Sequence, residues 1–247
     1  MKKAVALITR KPHTNWLDFL NEFTKYDVFV IIDDNSENYL LNYVYKYPKI
    51  KFIQINDREC CDNGFVGSST ATNLPAIISW DKALYFFSHC ETSYSNIWFF
   101  EDDVFFLSEE TLINMDKAYP FCELLTRSHT IKNENNFDGW WHWFQISGKI
   151  SLPWAYSLIC MCRVSYSLLQ KVRKYANENK HIFFVESILN TLALHNGMNV
   201  GCPPELYPIV QGDISPNEIK KENMWYVFHP YKNIDIHPDM RIKLLLT

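Results

Sequence analysis

Glycine is scarce in this sequence. Only seven occur in 247 residues, Gly64, Gly67, Gly139, Gly148, Gly197, Gly201 and Gly212. Their spacings never spell G-x-G-x-x-G or G-x-x-x-x-G-K-[ST]. That excludes the dinucleotide fingerprint and the P-loop, where glycine lets backbone N–H groups close on phosphate. A nucleotide phosphate would have to be gripped by another device. Positive charge is sparse too: 24 Lys and Arg face 28 Asp and Glu, a formal net charge of −4, and no basic run follows Met-Lys-Lys at the start. The electrostatic footprint of a nucleic-acid binder is therefore missing. Long apolar runs are absent as well. Arg10 and Lys11 interrupt the stretch after Lys3 within six residues, too soon for a signal-peptide core, and no other run approaches a membrane span. The reading is a soluble, uncleaved, cytoplasmic chain with no integral membrane segment, which fits a bacterial, viral or cytosolic protein or a trimmed catalytic domain. Seven cysteines, an odd count, contain no C-x-x-C pair, which disfavours zinc ribbons and a disulfide framework.

Apolar and aromatic residues are plentiful, at 47% and 16%, with eight tryptophans. Such a chain can bury a sizeable core, and its length suits one domain better than two. Ala4 to Ile8 reads as a strand, and Trp16, Leu20 and Phe23 then share one helical face. Val28 to Ile32 is a second strand, Leu40, Val44 and Tyr47 mark a second helix, and Ile50 to Ile55 a third strand. Apolar runs without polar alternation suit strands covered on both faces, so β-α-β-α-β announces a doubly wound start. Residues 56–77 read as a long loop. Ser79 opens a helix with Trp80, Leu84 and Phe87 on one face and Asp81 and Lys82 off it. Ile97 to Phe100 is the next strand, and Val104 to Leu107 resumes it. A helix from Glu109 broken near Pro120, a strand over Leu158 to Cys162, helices from Ser165 and Glu186, and an irregular proline-rich C-terminal wrap complete the pattern.

Between Trp98-Phe99-Phe100 and Val104-Phe105-Phe106 stand three consecutive acids, Glu101-Asp102-Asp103. They are either a solvated turn between two β-runs or a site at a strand end. Neighbouring carboxylates in apolar surroundings resist ionisation unless a metal ion or positive ligand joins them. Oxygen ligands point to Mg²⁺ or Mn²⁺ rather than zinc. The carboxyl ends of strands are also where open α/β sheets bind ligands, which favours the metal site.

With this motif following three β/α alternations, the sequence resembles the glycosyltransferases of the GT-A fold. The resemblance implies an α/β fold, a Rossmann-like mixed and mostly parallel sheet flanked by helices, in a single domain over 1–247. Residues 1–107 would form the donor half and 108–247 the acceptor half with the C-terminal wrap. It also implies a Mn²⁺ or Mg²⁺ cofactor that bridges the diphosphate of a nucleoside-diphosphate sugar. The sugar would pass, with inversion, to a hydroxyl of a glycan or glycoconjugate acceptor. Asp103 would be the principal metal ligand, with Glu101 and Asp102 towards the ribose, the donor sugar or metal-bound water. A metal-bridged diphosphate would replace the glycine-rich loops this chain lacks.

Two further elements of the family pattern have counterparts. Glu186, in Phe183-Phe184-Val185-Glu186-Ser187, matches the acid that opens a helix beneath the acceptor, where the macrodipole favours a negative charge able to take a hydroxyl proton. It is equally an ordinary acid of a helix N-terminus. His229, in Trp225-Tyr226-Val227-Phe228-His229-Pro230, matches the late histidine that many members give to the metal; a structural histidine is the other reading. At the nucleotide end, Thr9-Arg10 and Asp33-Asp34 fall where the family holds base and ribose, although Asp33-Asp34-Asn35-Ser36 would serve equally as a turn and helix cap. Lys82, on the polar side of its helix, is a candidate to reach the diphosphate.

Four tryptophans fall within 15 residues, Trp140, Trp141, Trp143 and Trp154. Indole faces suit the C–H surfaces of sugars, so these residues, with Asp138 and His142 between or beside them, are acceptor-site candidates as well as core candidates. On a strand Trp140 and Trp141 would point to opposite faces, leaving at least one at a surface or cleft. Two other functions remain open. A sugar-phosphate nucleotidyltransferase shares acid-bound Mg²⁺ but relies on a glycine-rich basic loop, and Leu7-Ile8-Thr9-Arg10-Lys11-Pro12 has no glycine. A non-catalytic carbohydrate-binding protein on a degenerate fold would explain the tryptophans alone.

Overall fold

The computed structural model describes residues 2–69, 76–90, 94–136, 139–212 and 214–246, with the side chains of Trp141 and Pro216 outside the description. The chain runs β1 (Lys3–Thr9), α1 (Thr14–Asn21), β2 (Asp27–Ile32), α2 (Tyr39–Tyr43), β3 (Ile50–Gln54), α3 (Asp57–Asp62), α4 (Ser79–His89), β4 (Asn96–Glu101) and α5 (Glu109–Ala118). It continues through β5 (Leu124–Leu125), β6 (Thr130–Lys132), β7 (Trp154–Tyr156), β8 (Met161–Ser165), α6 (Tyr166–Asn179), α7 (Val185–His195), β9 (Val200–Gly201) and α8 (His237–Leu246). The main sheet has the order β3-β2-β1-β4-β8-β5-β9, and β6 pairs with β7 in a separate ribbon. β1, β2, β3 and β4 are mutually parallel, while β8 runs antiparallel to both β4 and β5. The expected α/β class, a mixed and mostly parallel sheet flanked by helices, is the observed one.

The continuous apolar strands are explained by two cores. Alternate residues of β1 point to opposite faces. Ala4, Ala6 and Ile8 pack with α4, α6 and α7, through Leu84, Leu168 and Ile188 among others. Val5 and Leu7 pack on the other face with Trp16, Leu17 and Leu20 of α1 and Leu112 of α5. Burying one such Leu or Ile on either face contributes roughly 1.5–3 kcal/mol, so both faces resist a one-residue slip of register.

A third, smaller cluster joins Phe105 and Leu107 to Phe228, Tyr231, Met240 and Leu244. Here the structure departs from the sequence reading. Residues 104–107 do not resume a strand; Phe105 and Phe228 exchange two backbone hydrogen bonds, of 2.8 and 2.9 Å, as an isolated antiparallel bridge. The C-terminal wrap contains α8, whose Arg241 stacks its guanidinium 3.6 Å from the Phe19 ring centre and donates from Nε to the Phe106 carbonyl at 3.2 Å. Residues 56–77, read as a loop, include α3 in their described part. Asp81 and Lys82, expected off the buried face of α4, are both fully buried. Asp81 accepts from the Ser68 and Ile78 N–H groups at 3.1 and 2.9 Å, which compensates its burial. No helix among the described residues is long and apolar enough to cross a membrane.

Candidate active site

Because β1, β2 and β4 are parallel and β8 reverses between β4 and β5, the carboxyl ends of β1, β2, β4 and β5 open on one edge. Thr9, Asp33, Glu101 and the residues after β5 therefore assemble there, as the crevice rule for open sheets requires. Glu101 closes β4 opposite Ile8 of β1. Its Oε1 accepts from Trp80 Nε1 at 2.6 Å. Burial pushes its carboxyl above the usual range, and the charges of Asp103 and Asp102 push the same way against the Trp80 hydrogen bond and His229. Asp102 is fixed at both ends: Thr9 Oγ1 donates to its Oδ2 at 2.5 Å and Trp16 Nε1 to its carbonyl at 2.8 Å. Burial raises this carboxyl too.

Asp103 meets His229, with Oδ1 and Nε2 3.3 Å apart. The bridge between Phe105 and Phe228 sets this register, and the Tyr231 N–H donates to the Asp103 carbonyl at 2.6 Å. On its far side, His229 Nδ1 lies 3.0 Å from the Val210 carbonyl. With its proton on Nδ1 the neutral ring would present the Nε2 lone pair to a metal ion, whereas without one the 3.3 Å contact with Asp103 calls for a proton on Nε2. Burial alone would lower the imidazole, but hydrogen bonding and charge from Asp103 outweigh it, and His229 stands above its ordinary value. The pair suits a hard divalent ion: it offers a carboxylate oxygen and an imidazole nitrogen, and two ligands of an octahedral ion at 2.0–2.1 Å stand about 3 Å apart.

Cys160 escaped the sequence reading. Ligand atoms of Glu101, Cys160 and His229 all lie within 4.8 Å of one another. Burial and then the charges of Glu101 and Asp103 push the thiol well up in the metal-free chain, and its soft sulfur suits Mg²⁺ or Mn²⁺ less well than carboxylate oxygen and imidazole do. Its position just before β8, the antiparallel partner of β4, is what brings it there: the Glu101 N–H donates to the Cys160 carbonyl at 2.9 Å. Only the pairing of the two strands, not cysteine spacing, carries that signal.

Glu186 lies in the first turn of α7. It lines a cavity of about 410 Å³ with Arg127, Trp140, Tyr156, Val210 and Gln211. Among the described residues its carboxylate has no hydrogen-bond or ion-pair partner, whereas its carbonyl is held by the Ser157 N–H at 2.9 Å. Burial, and then the charge of Glu101, lift this carboxyl from 4.5 to about 7 against an opposing pull from His229. The cavity adjoins the acids, because Val210, which lines it, also holds His229.

The remaining candidates divide. Trp140 lines the cavity, stacked on Tyr156 with ring centres 4.1 Å apart and planes at 10°. Trp143 is buried against Trp154 and Tyr156. Trp154 donates from Nε1 to the Ile150 carbonyl at 2.9 Å and packs on the core. His142 is buried beside Phe184 and Trp140, and burial lowers its imidazole. These three are packing residues around the cavity wall and do not line it. Trp140 precedes and Trp141 opens a 3-10 turn, Trp141–Gln145, so the strand alternation expected for the pair does not apply. Asp138 lies outside the described residues.

At the nucleotide end, Thr9 is buried on Asp102, and Arg10 is exposed. Asp34 is an internal cap: it accepts from Ser36 N–H, Ser36 Oγ and Tyr39 Oη, the last at 2.6 Å, and pairs with Lys11 at 3.3 Å. The Tyr39 hydroxyl, then Ser36, hold its carboxyl far below the usual range. Lys82 is not the free cation expected. Its buried ammonium reaches the Asp33 carbonyl at 2.6 Å, Asp33 Oδ1 at 3.0 Å and Asp57 Oδ1 at 2.8 Å. An ammonium has three donors, so none is left for a diphosphate. Lys82 instead fixes the end of β2 and the orientation of Asp33.

No known protein-family model matches the sequence, and no curated protein matches it. Solved structures with a similar chain course include a galactosyltransferase, LgtC, in complex with donor and acceptor sugar analogues, at 12% identity and a TM-score of 0.49, over 98% of this chain and 95% of that one. Mouse xyloside xylosyltransferase 1 in its apo form is similar at 9% identity and 0.46, over 94% and 98%. The 4-diphosphocytidyl-2C-methyl-D-erythritol synthase of Anaerococcus prevotii is similar at 14% and 0.44, over 81% and 86%. These likenesses concern the course of the chain and assign no residue a role.

Proposed function

We propose that the chain is a metal-dependent glycosyltransferase, moving a sugar from a nucleoside-diphosphate sugar to a hydroxyl of a glycan or glycoconjugate with inversion at the anomeric carbon. The observation that carries this reading is Glu186. A carboxylate with a pKa of about 7 and no protein partner among the described residues faces a cavity with an aromatic wall, next to the Asp103–His229 pair. A general base works best when its pKa lies near the working pH.

Asp103 and His229 would hold Mn²⁺ or Mg²⁺, which when bound neutralises charge on the diphosphate and stabilises it as a leaving group. Trp80 and Thr9 hold Glu101 and Asp102 in place beside them, on the donor side. Asp33, oriented by Lys82, and the exposed Arg10 are the polar groups towards the nucleoside. Glu186 takes the proton of the acceptor hydroxyl as that oxygen bonds to the anomeric carbon and the bond to the diphosphate oxygen breaks. One such displacement inverts the centre. Trp140, backed by Tyr156, offers a flat face to the acceptor ring. In this assignment 1–107 is the donor half and 108–247 the acceptor half, with the C-terminal wrap returning His229 to the donor metal. If sugar transfer survived both Asp103→Ala and Glu186→Gln, the reading would be wrong.

A further inference from the structure

Arg127 shares the cavity with Glu186, and the proposed transfer does not use it. It follows β5, and the backbone on each side of it is pinned: the Thr126 N–H donates to the Gly201 carbonyl at 3.1 Å and the Ser128 N–H to Ser157 Oγ at 3.1 Å. Ser157, fully buried, also holds the Glu186 carbonyl. One serine therefore fixes the arginine segment relative to the base.

The guanidinium is barely engaged by the protein. Its Nε donates to the Tyr207 carbonyl at 3.4 Å, and among the described residues its terminal nitrogens have no acceptor and no carboxylate pairs with it. Among the described residues Arg127 and Glu186 are the two charged residues of the cavity wall, yet they do not pair with each other. A half-buried guanidinium with a free fork is suited to a planar anion, which it binds through two parallel N–H donors. β5 lies two strands from β4 in the sheet. At about 4.8 Å per strand the two backbones stand about 10 Å apart across the sheet, and Arg127 shares its cavity wall with Glu186 and Trp140 rather than with Asp103 and His229.

We propose, resting on the transferase reading, that the acceptor is an acidic sugar. Its carboxylate pairs with Arg127, its ring lies on Trp140, and the hydroxyl to be glycosylated faces Glu186. Ser128, Thr130 and Gln211 on the same wall supply polar partners for the remaining hydroxyls.

The test is calorimetric titration of the full chain, without donor, with matched pairs: p-nitrophenyl β-glucuronide against the β-glucoside, and the β-galacturonide against the β-galactoside. The acidic member of at least one pair should bind tenfold or more tighter. Arg127→Gln should erase that difference without changing the thermal midpoint or the binding of UDP or GDP with Mn²⁺, and Arg127→Lys should restore part of it. Equal binding within both pairs overturns the proposal. So does loss of nucleotide binding in Arg127→Gln in step with loss of the acid preference, which would give the guanidinium to the donor diphosphate. Because the titration needs neither donor nor transfer, an acid preference in a chain that ignores every nucleotide would sink the transferase reading and leave the acidic-ligand site standing.

Discussion

Asp103 and His229 come from distant parts of the chain, yet Oδ1 of one lies 3.3 Å from Nε2 of the other. The C-terminal wrap achieves this by pairing Phe228 with Phe105, two residues beyond the aspartate. If the pair is a metal site, Mn²⁺ should raise the thermal midpoint of the wild type. At a hundred times the dissociation constant, one bound ion adds about 2.7 kcal/mol. Asp103→Ala and His229→Ala should each abolish that rise and lower transfer by about a hundredfold or more, since a divalent ion is worth several kcal/mol to a departing diphosphate. A midpoint that still rises with Mn²⁺ in both variants would place the ion elsewhere.

If Glu186 is the base of the proposed transfer, the reaction carries a pH signature. Its carboxyl titrates at about 7, and only the ionised form accepts a proton. A cation bound nearby lowers a carboxyl, so kcat/KM should climb about tenfold per pH unit on an acid limb whose midpoint falls below the metal-free value and level off above it. Glu186→Gln should flatten that limb and cost about 10²- to 10⁴-fold in rate. An unchanged pH profile in the glutamine variant would remove Glu186 from the base role.

The same residue should weaken the fold at high pH. Its carboxyl stands at 4.5 as a free group and near 7 in the folded chain, so between these values the folded state binds the extra proton. Stability contributed by the protonated form is complete below about 4.5 and is lost as pH rises through about 7. In metal-free buffer, Glu186→Gln should stabilise the protein at pH 8 by on the order of 1 kcal/mol, after allowance for partial solvent screening, and change little at pH 4.5. Urea denaturation at the two pH values measures the difference.

Lys82 should behave as a structural cation. Removing its ammonium by Lys82→Met strands the Asp33 carboxylate at the end of β2. A fully buried pair broken in this way costs roughly 3–5 kcal/mol; because Asp33 and Asp57 keep solvent contact, about 2 kcal/mol is expected. The double variant Lys82→Met/Asp33→Asn should recover most of it. Lys82→Met that folds as stably as wild type would instead free Lys82 for the donor.

The strands β1, β2 and β4 were legible because a parallel strand with helices on both faces must be apolar throughout, and Ala4 to Ile8 and Val28 to Ile32 read that way. The acids after Phe100 and the acid opening α7 were legible for the same kind of reason: charge stood out against an apolar run. Position in the chain said nothing of Cys160 or Arg127, which reach the edge only because β8 reverses between β4 and β5. Lys82 was misread because its helix is buried on more than one side; α4 packs on both the sheet and α6, so no polar face remains at that position. The tryptophans were legible as a cluster but not in their division of labour, since a 3-10 turn, which periodicity does not announce, separates Trp140 at the cavity from Trp143 in the core.

Trp140 offers a test specific to that division. Trp140→Ala should raise KM for the acceptor several-fold through loss of the stacking face and leave the affinity for nucleotide with Mn²⁺ unaltered. Weakening of both together would mean that the substitution disturbs the whole edge.

The most direct test of the transferase reading is a screen of UDP-, GDP- and CMP-sugars with and without Mn²⁺, read as thermal shift of the intact chain. The account predicts that one nucleoside-diphosphate sugar raises the midpoint only when Mn²⁺ is present, and that Asp103→Ala abolishes the rise. A chain indifferent to every nucleotide and to the metal would contradict it.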